Sequence, residues 1–479
     1  MATQEHKGII DVPVELILHI CSFINPTYAK APRCGRDIRS WCAAQVHLSR
    51  LGRTCRLLHG IVQPIVYHFF ADATRRPVHR LLCLARTLIS RPDLARHMKH
   101  IIQLNPLDDE LDDVDRKFVQ DAIVELGLPV IPDHWRINGE GEHRLLPLEL
   151  VLAHTPNLES LRLRLGYGWH LYIIPQLLKT RPAFLTNLKS ISIPGDQFEL
   201  SINAIDALTR AAPNLLTLRM CSPSYVPAEL FLPSLSHLRQ LQFIGENSVK
   251  PWLLACMLDA APNLEMLALY WDLSDEDFYA YDLVNEPKGG DLWDAIELRK
   301  NSLRELRFGL SDEATNNRHA QEDSFLSNMF PPTIREVTIW DDEGDEGWVR
   351  PAMQRFASDV AVGRYPNLEV VNVGLYRDGR DAAAWEDVKN ELKEKFARGG
   401  VEFEMIWTDD FGRSILGPDL LTDESESPLE SGGDPESEPG DDTPMMPDGE
   451  ITLEEGSSVL EMLLARHNTW KRDMATRDS

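Results

Sequence analysis

The chain has no apolar run long enough to cross a bilayer. A spanning helix needs roughly 18 uninterrupted apolar residues, and the first apolar stretch, Leu16 to Ile24, contains His19 and follows Glu15. That stretch also lacks the cationic start and small-residue cleavage site of a secretory leader. No membrane partner is expected, and the setting is expected to be cytoplasmic or nuclear. Cysteine is sparse, with seven residues scattered over the first 256. An odd, unpatterned set makes a poor disulfide framework and suits a reducing compartment. Catalytic signatures are missing as well. No His-Glu-x-x-His, Gly-x-Ser-x-Gly, phosphate-loop or Cys-x-x-Cys pattern occurs, and Gly139-Glu140-Gly141 is not followed by the third glycine of a dinucleotide loop. Neither enzymatic activity nor a cofactor is expected. Cys34, Cys42, His47, Cys55 and His59 lie close in sequence, but their spacing fits no common zinc pattern. The acidic run Asp341, Asp342, Glu343, Asp345, Glu346 misses the EF-hand spacing. No metal is expected.

Charge is abundant but unevenly placed. The net charge is −26, yet residues 1–100 hold 15 Lys/Arg against 6 Asp/Glu. Residues 409–455 hold 16 acids and one base and residues 456–479 a net +1, which leaves −21 for residues 101–408. An acidic body repels phosphate backbones, so nucleic acid is not an expected partner. At about 150 residues per domain, 479 residues predict two to three units. Three regions separate. Residues 8–70 are apolar and helical in pattern. Residues 71–408 carry a recurring motif. Residues 409–479 open with a Pro-, Gly-, Ser- and acid-rich segment that cannot bury enough apolar surface to order itself. They end in a short amphipathic stretch, Val459 to Trp470. Ser427 and Ser431, each with an acid three residues on, match acidophilic kinase sites.

The repeat is the strongest physical signal. Eight segments align: LESLRLR from Leu158, LKSISIP from Leu188, LLTLRMC from Leu215, LRQLQFI from Leu238, LEMLALY from Leu264, LRELRFG from Leu303, IREVTIW from Ile334 and LEVVNVG from Leu368. Each is apolar at its first, fourth and sixth positions, and the alternation at the end is strand periodicity. Four segments are introduced by Pro-Asn, where proline stops a helix and lets the chain turn into the strand. Helix-like stretches lie between, at Ser201 to Ala212, Pro251 to Ala261 and Arg350 to Tyr365. One strand plus one helix cannot bury its apolar face alone, whereas stacked units can, which predicts a solenoid. The spacing of 23 to 39 residues is less regular than that of a leucine-rich repeat, and the asparagine that ordinarily follows the strand is missing. No asparagine ladder is therefore expected.

The N-terminal motif carries a family resemblance. Val12-Pro13-Val14-Glu15-Leu16 opens a helix, with Pro13 at a position where no amide partner is lost. Leu16, Ile20 and Phe23 then form an apolar stripe. From Leu48, Leu51, Cys55, Leu58 and Val62 recur at similar spacing until Pro64, which is expected to break the pattern. The pair resembles an F-box, with Cys55-Arg56-Leu57-Leu58 and Pro64-Ile65-Val66-Tyr67 as its second half. Val12 stands where the family has leucine, and Asn25 to His47 reads as an insertion. The segment from Arg86 resembles the entry into the repeats of F-box proteins of filamentous fungi. The implied fold is α/β: an N-terminal three-helix F-box over 8–70, an irregular leucine-rich-repeat α/β solenoid over 71–408, and a disordered acidic tail over 409–479. The resemblance implies that Val12, Pro13, Leu16, Ile20, Leu51, Cys55 and Leu58 form or support a docking face for a Skp-family adaptor, and through it a cullin. The chain would then be the substrate-recognition subunit of an SCF-type ubiquitin ligase, with an unidentified protein substrate. The alternative is a non-degradative F-box scaffold.

In such repeats the third, fifth and seventh positions face away from the helices. The fifth position holds Arg162, Arg219 and Arg307, and the seventh holds Tyr270 and Trp340. These are residue types favoured at interface hot spots, so they are the candidate substrate-binding residues. Three arginines in one column would read an acidic or phosphorylated segment, unless Glu305 and Glu336 neutralise them.

Overall fold

The computed structural model describes residues 12–24, 35–72, 77–103, 107, 111–129, 145–163, 171–193, 202–221, 235–243, 251–269, 296–310, 325–341, 346–376 and 382–408. The expected tail, its terminal helix and its serines lie outside these residues. Two compact units are present. The described part of the first is helix α1 (Val14–Ile24). Every other described element belongs to the second. In chain order these are α2 (Gly35–Thr54), α3 (Arg56–Val66), β1 (Phe69–Asp72), α4 (Pro77–Ser90), α5 (Pro92–Ala95), β2 (His100–Gln103), α6 (Asp113–Glu125), α7 (Leu146–His154), β3 (Ser160–Leu163), α8 (Ile173–Thr180), β4 (Ser190–Ile193) and α9 (Ile202–Ala211). They continue with β5 (Thr217–Met220), β6 (Gln240–Phe243), α10 (Pro251–Ala260), β7 (Met266–Leu269), β8 (Glu305–Leu310), α11 (Phe325–Met329), β9 (Glu336–Asp341), α12 (Glu346–Ala361), β10 (Val370–Tyr376), α13 (Ala382–Arg398) and β11 (Glu402–Thr408).

The second unit is mixed α/β around one parallel sheet of eleven strands, ordered β1 to β11 as in the chain. Parallel neighbours need a crossover between them, and the segments between strands supply it. All eight segments aligned in the sequence form strands, β3 to β10, and they pair in the aligned register. Leu161, Ile191, Leu218, Leu241, Leu267 and Leu306 stand side by side at the fourth position. Fourth- and sixth-position side chains from β3 to β11 share one core with the helices, and the fifth-position side chains are outside it. The helices that follow the strands therefore cover one face of the sheet, and α2 meets the other face at β1 and β2.

Several expectations need correction. The segment from Leu48 is not one helix. α2 ends at Thr54, and Cys55 adopts an extended backbone and caps α3, its sulfur accepting from the Leu58 amide at 3.5 Å. Pro64 does not end the helix at the preceding residue: α3 runs on two residues to Val66, although the Gly60 carbonyl loses the amide that residue 64 would have supplied. Much of the expected insertion is the first half of α2, whose Trp41, Ala44, Leu48 and Leu51 form a buried stripe.

An asparagine ladder exists, but before the strands rather than after them. Asn187, Asn214, Asn263 and Asn367 each donate from Nδ2 to a backbone carbonyl in the preceding unit's turn, Pro156, Thr186, Ser236 and Pro332, at 2.8–3.1 Å. Asn157 does the same to Arg96 at 2.7 Å. Where threonine replaces asparagine, Thr333 Oγ1 donates to the Lys300 and Leu303 carbonyls. The Pro-Asn pair is thus both a helix stop and a staple between turns. Gly363 and Gly400, with φ of 82° and 77°, turn the ends of α12 and α13 in the left-handed conformation that glycine tolerates.

Candidate functional site

The motif residues divide by exposure. In α1 the first turn closes with the Leu16 and Ile17 amides donating to the Pro13 carbonyl at 3.0 and 3.2 Å. Ile17 and Cys21, one turn apart, are the buried stripe. The stripe expected from Leu16 and Ile20 lies beside it: Leu16 is 53% exposed and Ile20 half-buried, and on the other flank Val14 and Leu18 are 44% and 45% exposed. Pro13 is exposed and Val12 half-buried. Leu51 and Leu58 are buried, consistent with holding α2 against α3 rather than meeting a partner. Cys55 is occupied as the cap. Among the described residues of α2 and α3, Val46 and Leu57 are exposed apolar residues, Leu57 within the quoted motif and Val46 outside it.

α2 also reaches the sheet. Trp41 packs with Phe69, Ala71 and Ile102 on the sheet face away from the helix-filled core, edge-on to Phe69 at 4.2 Å between ring centroids. Gln45 Nε2 ties this joint by donating to the Val66 carbonyl at 3.1 Å and to that of Phe69. His68 and His100 lie 5.5 Å apart between centroids in the same joint. Burial pushes both down to about 4, and His68 is lowered further by His100 and Lys99. Cys42 borders the Trp41 cluster, its thiol raised by burial. Cys34 lies outside the described residues.

The candidate substrate residues occupy the same face, and their environments differ. Register places Ile102, Arg162, Ser192, Arg219, Gln242 and Ala268 in one continuous column. Arg162 is only 9% exposed. Arg219 Nε donates to Gln242 Oε1 at 2.5 Å, and Gln242 continues to Met266 Sδ at 3.3 Å. Arg307 is held between two carboxylates, at 2.5 Å from Glu305 and 3.3 Å from Glu336. The positive stripe therefore stops at Arg219, because beyond it the acids outnumber the arginine. Burial, with Glu336 adding to it against Arg307, raises the Glu305 carboxyl above its usual range. Trp340 is 4% exposed, its ring filling the space beside Gly374, so it packs within the sheet instead of standing out as an anchor. Tyr270 lies outside the described residues.

Sequence reasoning missed Glu402 and Glu404 of β11, which stand exposed in the third and fifth columns beside Val370 and Asn372. A pocket of about 200 Å³ lies at the turns before β8 to β10, lined by Lys300, Asn328, Phe330, Pro332, Arg364 and Tyr365 among others. Its cations are already engaged, Lys300 by Glu297 and Arg364 by Asp359 and Asn328. Among the described residues no helix is long and apolar enough to cross a membrane. Scanned against known protein families the chain matches none, and a search of characterised proteins likewise finds no match.

Proposed function

We propose that this chain is the substrate-recognition subunit of an SCF-type cullin–RING ubiquitin ligase, acting in the cytoplasm or nucleus. The Val12-Pro13-x-Glu15-Leu16 helix and the α2–α3 pair dock a Skp-family adaptor. The parallel sheet, read as an irregular leucine-rich-repeat solenoid, holds the target protein. The subunit performs no chemistry. It raises the effective concentration of target lysines near the conjugating enzyme.

The observation that carries this reading is Leu16. In the motif helix the leucine of the Pro-x-Glu-Leu pattern points outward at 53% exposure, flanked by exposed Val14 and Leu18. A helix that turns apolar side chains to solvent on both flanks of its buried stripe suits a partner that covers them. Burying each such side chain is worth about 1.5–3 kcal/mol. Replacing Pro13 and Leu16 together with Ala is expected to abolish co-purification with the adaptor and cullin. A folded double variant that still binds both would remove the proposal.

A further inference from the structure

We propose that the sheet face opposite the helices binds an extended segment of a partner protein that is acidic at one end and basic at the other. Its acidic end lies over β3–β5 and its basic end over β8–β11. This rests on the receptor reading above and gives it a substrate class.

Two sets of side chains on that face carry the inference. From β3 to β5 the third and fifth positions hold Ser160, Arg162, Ser190, Ser192, Thr217 and Arg219, all hydrogen-bond donors, with no acid among them. From β8 to β11 the same two positions reverse sign. Glu305, Glu336, Glu402 and Glu404 face the single cation Arg307, a net charge of −3. An incoming ammonium or guanidinium group would relieve the crowding of Glu305 against Glu336. Met266 and Ala268 of β7 separate the halves.

The spacing sets the ligand. Strands lie about 4.8 Å apart, so Arg219 and Glu305 are roughly 14 Å apart, and Arg162 and Glu404 roughly 38 Å. At about 3.3 Å per residue, an extended segment needs about 4 residues between its nearest opposite charges and about 12 to span both ends. A segment of one sign would be attracted by one half and repelled by the other.

The test uses the full-length chain and three fluorescent peptides of about 14 residues: Glu-rich at one end and Lys-rich at the other, wholly Glu-rich, and wholly Lys-rich. Fluorescence anisotropy should show the two-ended peptide binding about tenfold tighter than either of the others. Glu402→Lys combined with Glu404→Lys should weaken the two-ended peptide about tenfold and strengthen the Glu-rich one. Arg219→Glu should shift preference towards the Lys-rich peptide. Equal affinity for the Glu-rich and two-ended peptides, unchanged preferences in the folded variants, or no binding by any peptide would each overturn the inference. Adaptor co-purification is scored in parallel. Its loss with peptide preference intact removes the receptor reading alone, and its retention without peptide preference removes this inference alone.

Discussion

The two ends of the sheet are built differently. β1 to β7 have four residues each, whereas β8 and β9 have six, and β10 and β11 seven. The helices follow suit: α7 to α10 run 8–10 residues, and α12 and α13 run 16 and 17. The early units pack leucine and isoleucine, while the turn-to-turn staples run through both ends. The late units pack rings, with Phe356 lying 4.8 Å from Phe330, 5.4 Å from Tyr365 and 5.6 Å from Phe396 between centroids. Short units depend on their neighbours for stability, as in any stacked array. Longer units bury more each and lean less on their neighbours.

The largest expected effect contrasts one buried side chain from each end. Phe356→Ala should cost about 3–5 kcal/mol, because the vacated ring volume borders three other rings. Leu218→Ala in β5 should cost about 2–5 kcal/mol and fall below it. Chemical denaturation of both variants reads this, and a larger loss at Leu218 would break the comparison.

The next effect is confined to the early end. His68 and His100 are held down to about 4, while the unfolded chain takes up protons below the ordinary value of 6.5. The stability these rings contribute is present above pH 6.5 and is lost as pH falls towards 4, at about 1.4 kcal/mol per pH unit for each ring. Glu149 opposes this. It is fully buried, and its carboxylate oxygens accept the Tyr172 and Ile174 amides at 2.9 Å at the start of α8. Burial raises it to about 7, against the pull of those amides, so its contribution is lost as pH rises from 4.5 through 7. Two rings outweigh one carboxyl, so the thermal midpoint should fall on acidification below pH 6. His68→Gln with His100→Gln should flatten that fall, and an unchanged profile would place the acid sensitivity elsewhere.

The smallest effect tests the staples. Asn214→Ala removes one exposed side-chain bond to the Thr186 carbonyl and should cost about 0.5–1.5 kcal/mol by denaturant midpoint.

What was legible follows from these contrasts. β3 to β10 could be read because apolar residues recur at fixed offsets. β1 and β2 escaped because their sixth positions are Asp72 and Gln103, polar residues that are nonetheless fully buried, Asp72 with Arg80 at 3.1 Å. β11 escaped because it enters one residue short, with Val401 two before Phe403 where the other units have three. The fate of the arginines was legible only in part. The sequence names Glu305 and Glu336 as neighbours of Arg307, and parallel register turns that proximity into a two-sided clamp. Which stripe of α1 is buried was not legible, since Ile17 and Cys21 are no more apolar than Leu16 and Ile20.

A sheet that adds its strands strictly in chain order ends in two rims. At the first, α2 leans on β1 through Trp41 and Gln45. At the last, β11 pairs on one side only among the described residues, leaving a seven-residue row of backbone donors and acceptors. Such an unpaired row is a template for a second chain. Glu402 and Glu404 stand exposed along it, and like charges brought together across two such rims repel. The same pair of carboxylates thereby opposes edge-to-edge pairing at the border where, among the described residues, the repeat has no successor.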